Sequence, residues 1–166
     1  MIRFARAADA AAIAAIYNQG IADRGATFET EPRTEADLLE RLSNVERYPL
    51  MVAEDAAGRV LGWAGLSSYR PRECYAGIAE FSIYLDREAR GRGVGRSLLS
   101  GLIEVAAQRG FWKLVSRVFP LNAASRALCR ACGFREVGTY EKHARLDGEW
   151  LDVIIVELSL HTQTPQ

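Results

Sequence analysis

The chain has 166 residues, 49% of them hydrophobic and 25% charged, with a formal net charge of +0. This composition suits a globular domain with one substantial core, excludes nucleic-acid binding driven by a global basic surface, and includes no apolar run long enough to cross a bilayer. The opening MIRFARAADA lacks the apolar centre of a signal peptide, so the expected compartment is the cytoplasm, with reduced thiols at Cys74, Cys129 and Cys132.

Residues 2–6 read as a short strand. Asp9 is placed to cap a helix from Ala10 to about Gly20, with Ile13, Ile16 and Tyr17 as its apolar stripe. Residues 21–33 have no clean period and read as a loop. Thr34 caps a second helix to about Asn44, with Leu38, Leu39 and Leu42 expected inward. Residues 50–54 and 60–67 form a predicted hairpin around Asp55-Ala56-Ala57-Gly58. Residues 69–77 are a loop carrying Arg70, Arg72 and Tyr75. Residues 113–118 are a strand ended by Pro120, and Asn122 caps a helix through about Cys132 that Gly133 closes. The last strands are 136–140 and 150–158, joined by a long loop at 141–149. Residues 161–166 are expected to fray. Cys129-x-x-Cys132 lies inside a predicted helix with no second pair, and His143 and His161 stand alone, so no metal site is expected.

The stretch that organises the chain is 79–102. Residues 78–85 are rich in β-branched and aromatic side chains, the mark of a strand. Arg90-Gly91-Arg92-Gly93-Val94-Gly95 then opens a helix with Val94, Leu98, Leu102 and Val105 or Ala106 at three-to-four spacing, stopped by Gly110. Alternating glycines leave backbone N–H groups uncovered where a helix begins. The helix dipole adds partial positive charge there, and Arg90, Arg92 and Arg96 add formal charge. This composition fits a pyrophosphate, although an ordinary glycine-rich connection shares it. A P-loop is excluded because the turn ends Gly95-Arg96-Ser97 rather than Gly-Lys-Ser/Thr. A G-x-G-x-x-G dinucleotide turn is excluded because the glycines fall at 91, 93 and 95.

The turn resembles, at every position, the acetyl-CoA motif (Arg/Gln)-x-x-Gly-x-(Gly/Ala) of the GNAT N-acetyltransferases. The order β-α-α-β-β-β-α-β-α-β-β resembles that fold over nearly the whole chain, with 1–160 as a single domain and 161–166 as a tail. The resemblance implies an α/β architecture: a mixed, mostly antiparallel sheet, splayed at its central strands and flanked by helices. It implies acetyl-CoA as co-substrate, held by the backbone of Ile83, Tyr84 and Leu85, by Arg90, Gly91, Arg92, Gly93, Val94, Gly95 and Arg96, and by Asn122 and Ser125. Asn122 and Ser125 also read as a plain helix cap and its neighbour.

Ile16-Tyr17-Asn18, Tyr69-Arg70-Pro71, residues 80–85, Asn122-Ala123-Ala124-Ser125 and Gly148-x-Trp150-Leu151-Asp152 together resemble the branch of phosphinothricin, methionine sulfoximine and arsinothricin acetyltransferases. That resemblance implies a small amino-acid acceptor with a tetrahedral side-chain group, a resistance role, a homodimer, and no nucleic-acid or membrane partner. An acceptor ammonium must lose a proton before it attacks, and Glu80 occupies the position this branch uses for the base. Alternation puts Glu80, Ser82 and Tyr84 on one face of the strand and Phe81, Ile83 and Leu85 on the other. Backbone N–H groups of 83–85 are placed to meet the developing oxyanion. Phe28 and Glu29 are expected to wall the acceptor. Arg70 or Arg72, beside Tyr75, is expected to hold its carboxylate through a guanidinium fork, with Lys142 and His143 in a late loop. Cys129 stands where a proton-donating Tyr is common in the family. Two other readings stay open: a peptide or protein N-terminal acetyltransferase, and an acyl-CoA sensor that needs no base.

Overall fold

The computed structural model describes residues 1–161; the remainder of the expected tail lies outside the described residues. The elements are β1 (Ile2–Phe4), α1 (Ala10–Asp23), α2 (Glu35–Leu42), β2 (Leu50–Glu54), β3 (Val60–Ser68), β4 (Ile78–Leu85), α3 (Val94–Gln108), β5 (Lys113–Val118), α4 (Ala123–Ala131), β6 (Arg135–Leu146) and β7 (Glu149–Ser159). They build a seven-stranded sheet in the order β1-β2-β3-β4-β5-β7-β6. Every neighbouring pair is antiparallel except β4–β5, which is parallel.

Strand alternation sorts the core into two layers. On one face Leu66, Ala79, Phe81 and Leu114 meet Leu98, Leu99 and Leu102 of α3. On the other, Leu50, Val52 and Trp63 meet Ile13 and Ile16 of α1 and Leu38 of α2, with Tyr84 packed alongside. Tyr84 stacks on Trp63 at 5.2 Å and contacts the Tyr17 ring at 4.8 Å. Phe119, Leu146 and Val153 form a third cluster, into which Phe28 reaches from the loop after α1.

The structure departs from the sequence reading at several places. Helix α1 does not stop at Gly20; it continues to Asp23 and ends at Arg24, which takes the left-handed conformation with φ 57°. Gly20 is small because the helix lies flat on an aromatic ring: a Cβ there would come within 2.6 Å of Cδ1 of Tyr84. Asp9 gives no side-chain cap to α1. Its carboxylate accepts the Arg6 N–H at 2.7 Å and pairs with Arg3 at 2.8 Å, tying the start of the helix to β1. Leu39 points outward and is 42% exposed, whereas Leu38 is buried. The expected long loop at 141–149 is strand for most of its length. Leu146 pairs with Glu149 across Asp147 (φ 49°) and Gly148 (φ 83°), a two-residue turn with both φ positive. Nearly all of β6 is exposed, so no apolar alternation marks it as a strand.

Adding one methyl at Gly20 therefore overpacks Tyr84. Gly20→Ala is expected to cost ~1–3 kcal/mol, a fall of ~2–4 °C in Tm per kcal/mol for a domain of this size, measured by thermal melting followed by circular dichroism.

Candidate active site

Strands β4 and β5 pair only from Ile78, Ala79 and Glu80 to Lys113, Leu114 and Val115. Beyond that point they part. Where they separate, the Ser116 hydroxyl donates to the Phe81 carbonyl at 2.9 Å, taking the place of a ladder bond. Backbone polar groups alternate sides along a strand. The Asp86 N–H donates to Leu61 of β3, and the Phe81 carbonyl points toward β5. Ile83 and Leu85 follow Phe81 in that alternation, so they turn their N–H and C=O groups into the opening, while Tyr84 turns its own toward β3. Of the three residues expected to present backbone groups to a cofactor, Ile83 and Leu85 are oriented for it.

Two cavities meet in the opening. One, of about 740 Å³, is lined by Ile83, Tyr84, Leu85, Arg90, Gly91, Gly93, Gly95, Arg96, Asn122 and Ser125. Arg92 and Val94 do not line it: Arg92 is exposed, and Val94 packs on the α3 side of the core. Gly91 and Gly93 have φ +72° and +79°, and a Cβ at either would meet nothing within 4 Å, so their backbone stands open. Gly93 begins α3 with no side-chain cap, which leaves first-turn N–H groups free for an anion. Gly95 acts differently: it lies inside the helix, where a Cβ would come within 3.2 Å of Leu85 and 3.4 Å of Leu128. Asp23, at the end of α1, pairs with Arg87 at 2.6 Å and Arg90 at 3.1 Å. The hydrogen bond from Arg87 is the largest cause holding its carboxyl below the usual range.

The second cavity, of about 300 Å³, holds Glu80, Phe28 and Glu29 and shares Ile83, Tyr84, Asn122 and Ser125 with the first. The Asn122 side chain accepts the Ser125 N–H at 3.1 Å, so the cap and the cavity-lining role coexist. Phe28 is pinned edge-on to Phe119 at 4.9 Å, and the Asn18 side chain bonds both the N–H and C=O of Arg33. Together these fix the loop as a wall. Glu80 pairs with Arg117 at 3.3 Å. Cys129 also lines this cavity; burial pushes its thiol up to about 11, so it is neutral at physiological pH.

Arg70, Arg72 and Tyr75 line neither cavity. The Arg70 guanidinium lies over the Tyr69 ring at 5.2 Å, and Tyr69 packs edge-on to Tyr75 at 5.6 Å. Lys142 and His143 are exposed on β6, outside both cavities. Sequence reasoning missed Arg117 and Ser116. Their strand was evident, but its register against β4 was not. Among the described residues no cluster of His, Cys, Asp and Glu suits a metal ion, and no helix is long and apolar enough to cross a membrane.

A parted central strand pair with an open glycine turn beside it is what the resemblance to coenzyme A-dependent N-acetyltransferases implies. Comparison with known proteins agrees. Residues 13–134 match the Acetyltransferase (GNAT) family. The chain is 37% identical over 164 residues to the L-methionine sulfoximine/L-methionine sulfone acetyltransferase of Pseudomonas paraeruginosa, covering 96% of this chain and 94% of that protein. The crystal structure of a phosphinothricin acetyltransferase from Sinorhizobium meliloti in complex with acetyl-CoA is similar with a TM-score of 0.90 at 36% identity, over 96% of this chain and 87% of that one. A structure described as ribosomal-protein-alanine N-acetyltransferase from Brucella melitensis is similar with a TM-score of 0.91 at 36% identity, over 96% and 99%. The chain belongs to the GNAT acetyltransferase family. It is an acetyl-CoA-dependent N-acetyltransferase.

Placing a side chain at Gly93 both strains a positive φ and fills the open turn. Gly93→Val is expected to weaken acetyl-CoA binding at least about tenfold, read by titration calorimetry. Iodoacetamide at pH 8 is expected to label exposed Cys74 well before buried Cys129, read by peptide mass spectrometry.

Proposed function

We propose that the enzyme moves acetyl to the α-amino group of a small amino acid of the phosphinothricin, arsinothricin or methionine sulfoximine type, with Glu80 as general base. The observation that carries this reading is the junction of the two cavities: a carboxylate sits in a chamber at the small end of ligand pockets, which opens onto the glycine turn at Ile83 and Asn122. Glu80 takes the ammonium proton, directly or through one water, and the amine attacks the thioester carbonyl. The Ile83 N–H, directed into the opening, donates to the carbonyl oxygen as charge develops there. The Cys129 thiol is neutral and in the same chamber, so it adds no negative charge beside the departing thiolate.

Arg70, Arg72 and Tyr75 enter the proposal as contacts for the outer end of the acceptor. Ser67 pairs with Glu80 and β3 ends at Ser68, so their loop starts beside the base. The resistance role, the homodimer and the cytoplasmic location implied by the resemblance belong to this proposal as well. The likeness to the Brucella melitensis structure favours a second reading, a protein N-terminal acceptor.

Coenzyme A release is to be followed with phosphinothricin, arsinothricin, methionine sulfoximine, ordinary amino acids and short peptides. Turnover of amino acids with none of peptides supports the first reading; the reverse overturns it. Glu80→Gln is expected to retain acetyl-CoA binding and to lose ~10²- to 10⁴-fold in kcat. Unchanged kcat removes Glu80 as base.

A further inference from the structure

We propose that Arg117 receives the α-carboxylate of the acceptor and, in doing so, uncovers Glu80. The assignment rests on the reading of the acceptor as an α-amino acid. Arg117 stands on β5 two residues beyond Val115, and Val115 pairs with Glu80 across β4–β5. Side chains two apart on a strand share a face, so the guanidinium leans back toward the carboxylate, Nη2 lying 3.3 Å from Oε1. The Arg117 side chain is 54% exposed and that of Glu80 28%, so the pair faces the chamber rather than the core. An ion pair this exposed is weak and readily exchanged.

Among the described residues that line this chamber, Arg117 is the one formal cation. The other carboxylate there, Glu29, is held by Arg33 at 2.9 Å. An α-amino acid carries its ammonium and carboxylate on a single carbon, through bonds of about 1.5 Å each. An ammonium set against Glu80 therefore brings its carboxylate within reach of Arg117. Before binding, Glu80 and Arg117 neutralise each other. With the zwitterion bound, each takes the opposite charge of the acceptor, and Glu80 is freed to accept the ammonium proton.

The same arrangement rejects other amines. A decarboxylated amine leaves the guanidinium beside its own ammonium, and like charges at that range repel. A peptide N-terminus offers a neutral amide where the carboxylate belongs, so it neither draws Arg117 away nor pairs with it. Arg117 thus makes the base available to free α-amino acids and withholds it from peptides and simple amines.

The test compares methionine sulfoximine with its α-carboxamide on the wild type, Arg117→Gln and Arg117→Lys, by coenzyme A release, with thermal melting to establish folding. The wild type is expected to prefer the free acid. Arg117→Gln is expected to lower the acid-to-amide ratio of kcat/KM by roughly 10- to 100-fold, mainly through KM for the acid, as loss of a charged hydrogen-bond pair does. Arg117→Lys keeps the charge and is expected to retain most of the preference. If the folded Arg117→Gln protein loses acid and amide activity in equal proportion, or neither, the Arg117 assignment falls and the amino-acid acceptor stands. If the wild type acetylates no amino acid, both fall.

Discussion

The parting of β4 from β5 is the constraint on which the rest of this molecule depends. A sheet broken in its middle exposes backbone groups that would otherwise be paired, and such groups are costly to leave bare. The break is tolerable because Ser116 caps the last carbonyl before the gap and because Ile83 and Leu85 face a cavity. On the far side, β5 keeps full pairing with β7 from Lys113–Ser159 to Val118–Ile154, so the second lip of the opening is as stiff as the first. The opened edge of β4 is thus a row of preorganised donors and acceptors, and it demands no particular side chains.

That independence from side chains governs what was legible in the sequence. The glycine turn, the helix caps at Thr34 and Asn122 and the strand at 78–85 depend on local chemistry, and the boundaries read for the strands at 78–85 and 113–118 match the structure. Glu80 and the glycine turn line two cavities that share Ile83 and Asn122. The Glu80–Arg117 contact depends on the register between two strands separated by a helix, and nothing local encodes a register. Arg70 and Arg72 are legible as neighbouring guanidiniums in the loop before the central strand, but their surroundings, the Tyr69 ring for Arg70 and solvent for Arg72, are not. Strand β6, an edge exposed on both faces, has no apolar alternation to mark it.

Charge around the site is arranged in short exchangeable pairs rather than as one field. Asp23 holds Arg87 and Arg90 beside the glycine turn, Glu80 holds Arg117, and Arg33 holds Glu29 at the smaller cavity. Each pair is partly exposed, so each contributes little to stability by itself. Glu80 and Glu29 each meet one guanidinium, whereas Asp23 meets two, so the side of the glycine turn keeps a local positive excess in a chain of zero formal net charge.

The wall of the smaller cavity is built from distant parts of the chain. Phe28 comes from the first quarter of the chain, but it rests on Phe119 and on a cluster containing Leu146 and Val153, and Arg24 reaches Asp147 at 3.0 Å in the turn between β6 and β7. None of these residues lines the larger cavity, where the glycine turn lies. The wall that Phe28 forms is therefore braced from the C-terminal hairpin, while the floor of the smaller cavity, at Ile83, Tyr84, Asn122 and Ser125, is shared with the larger one. A substitution in the turn between β6 and β7 is thus felt at a cavity wall more than a hundred residues earlier in the chain.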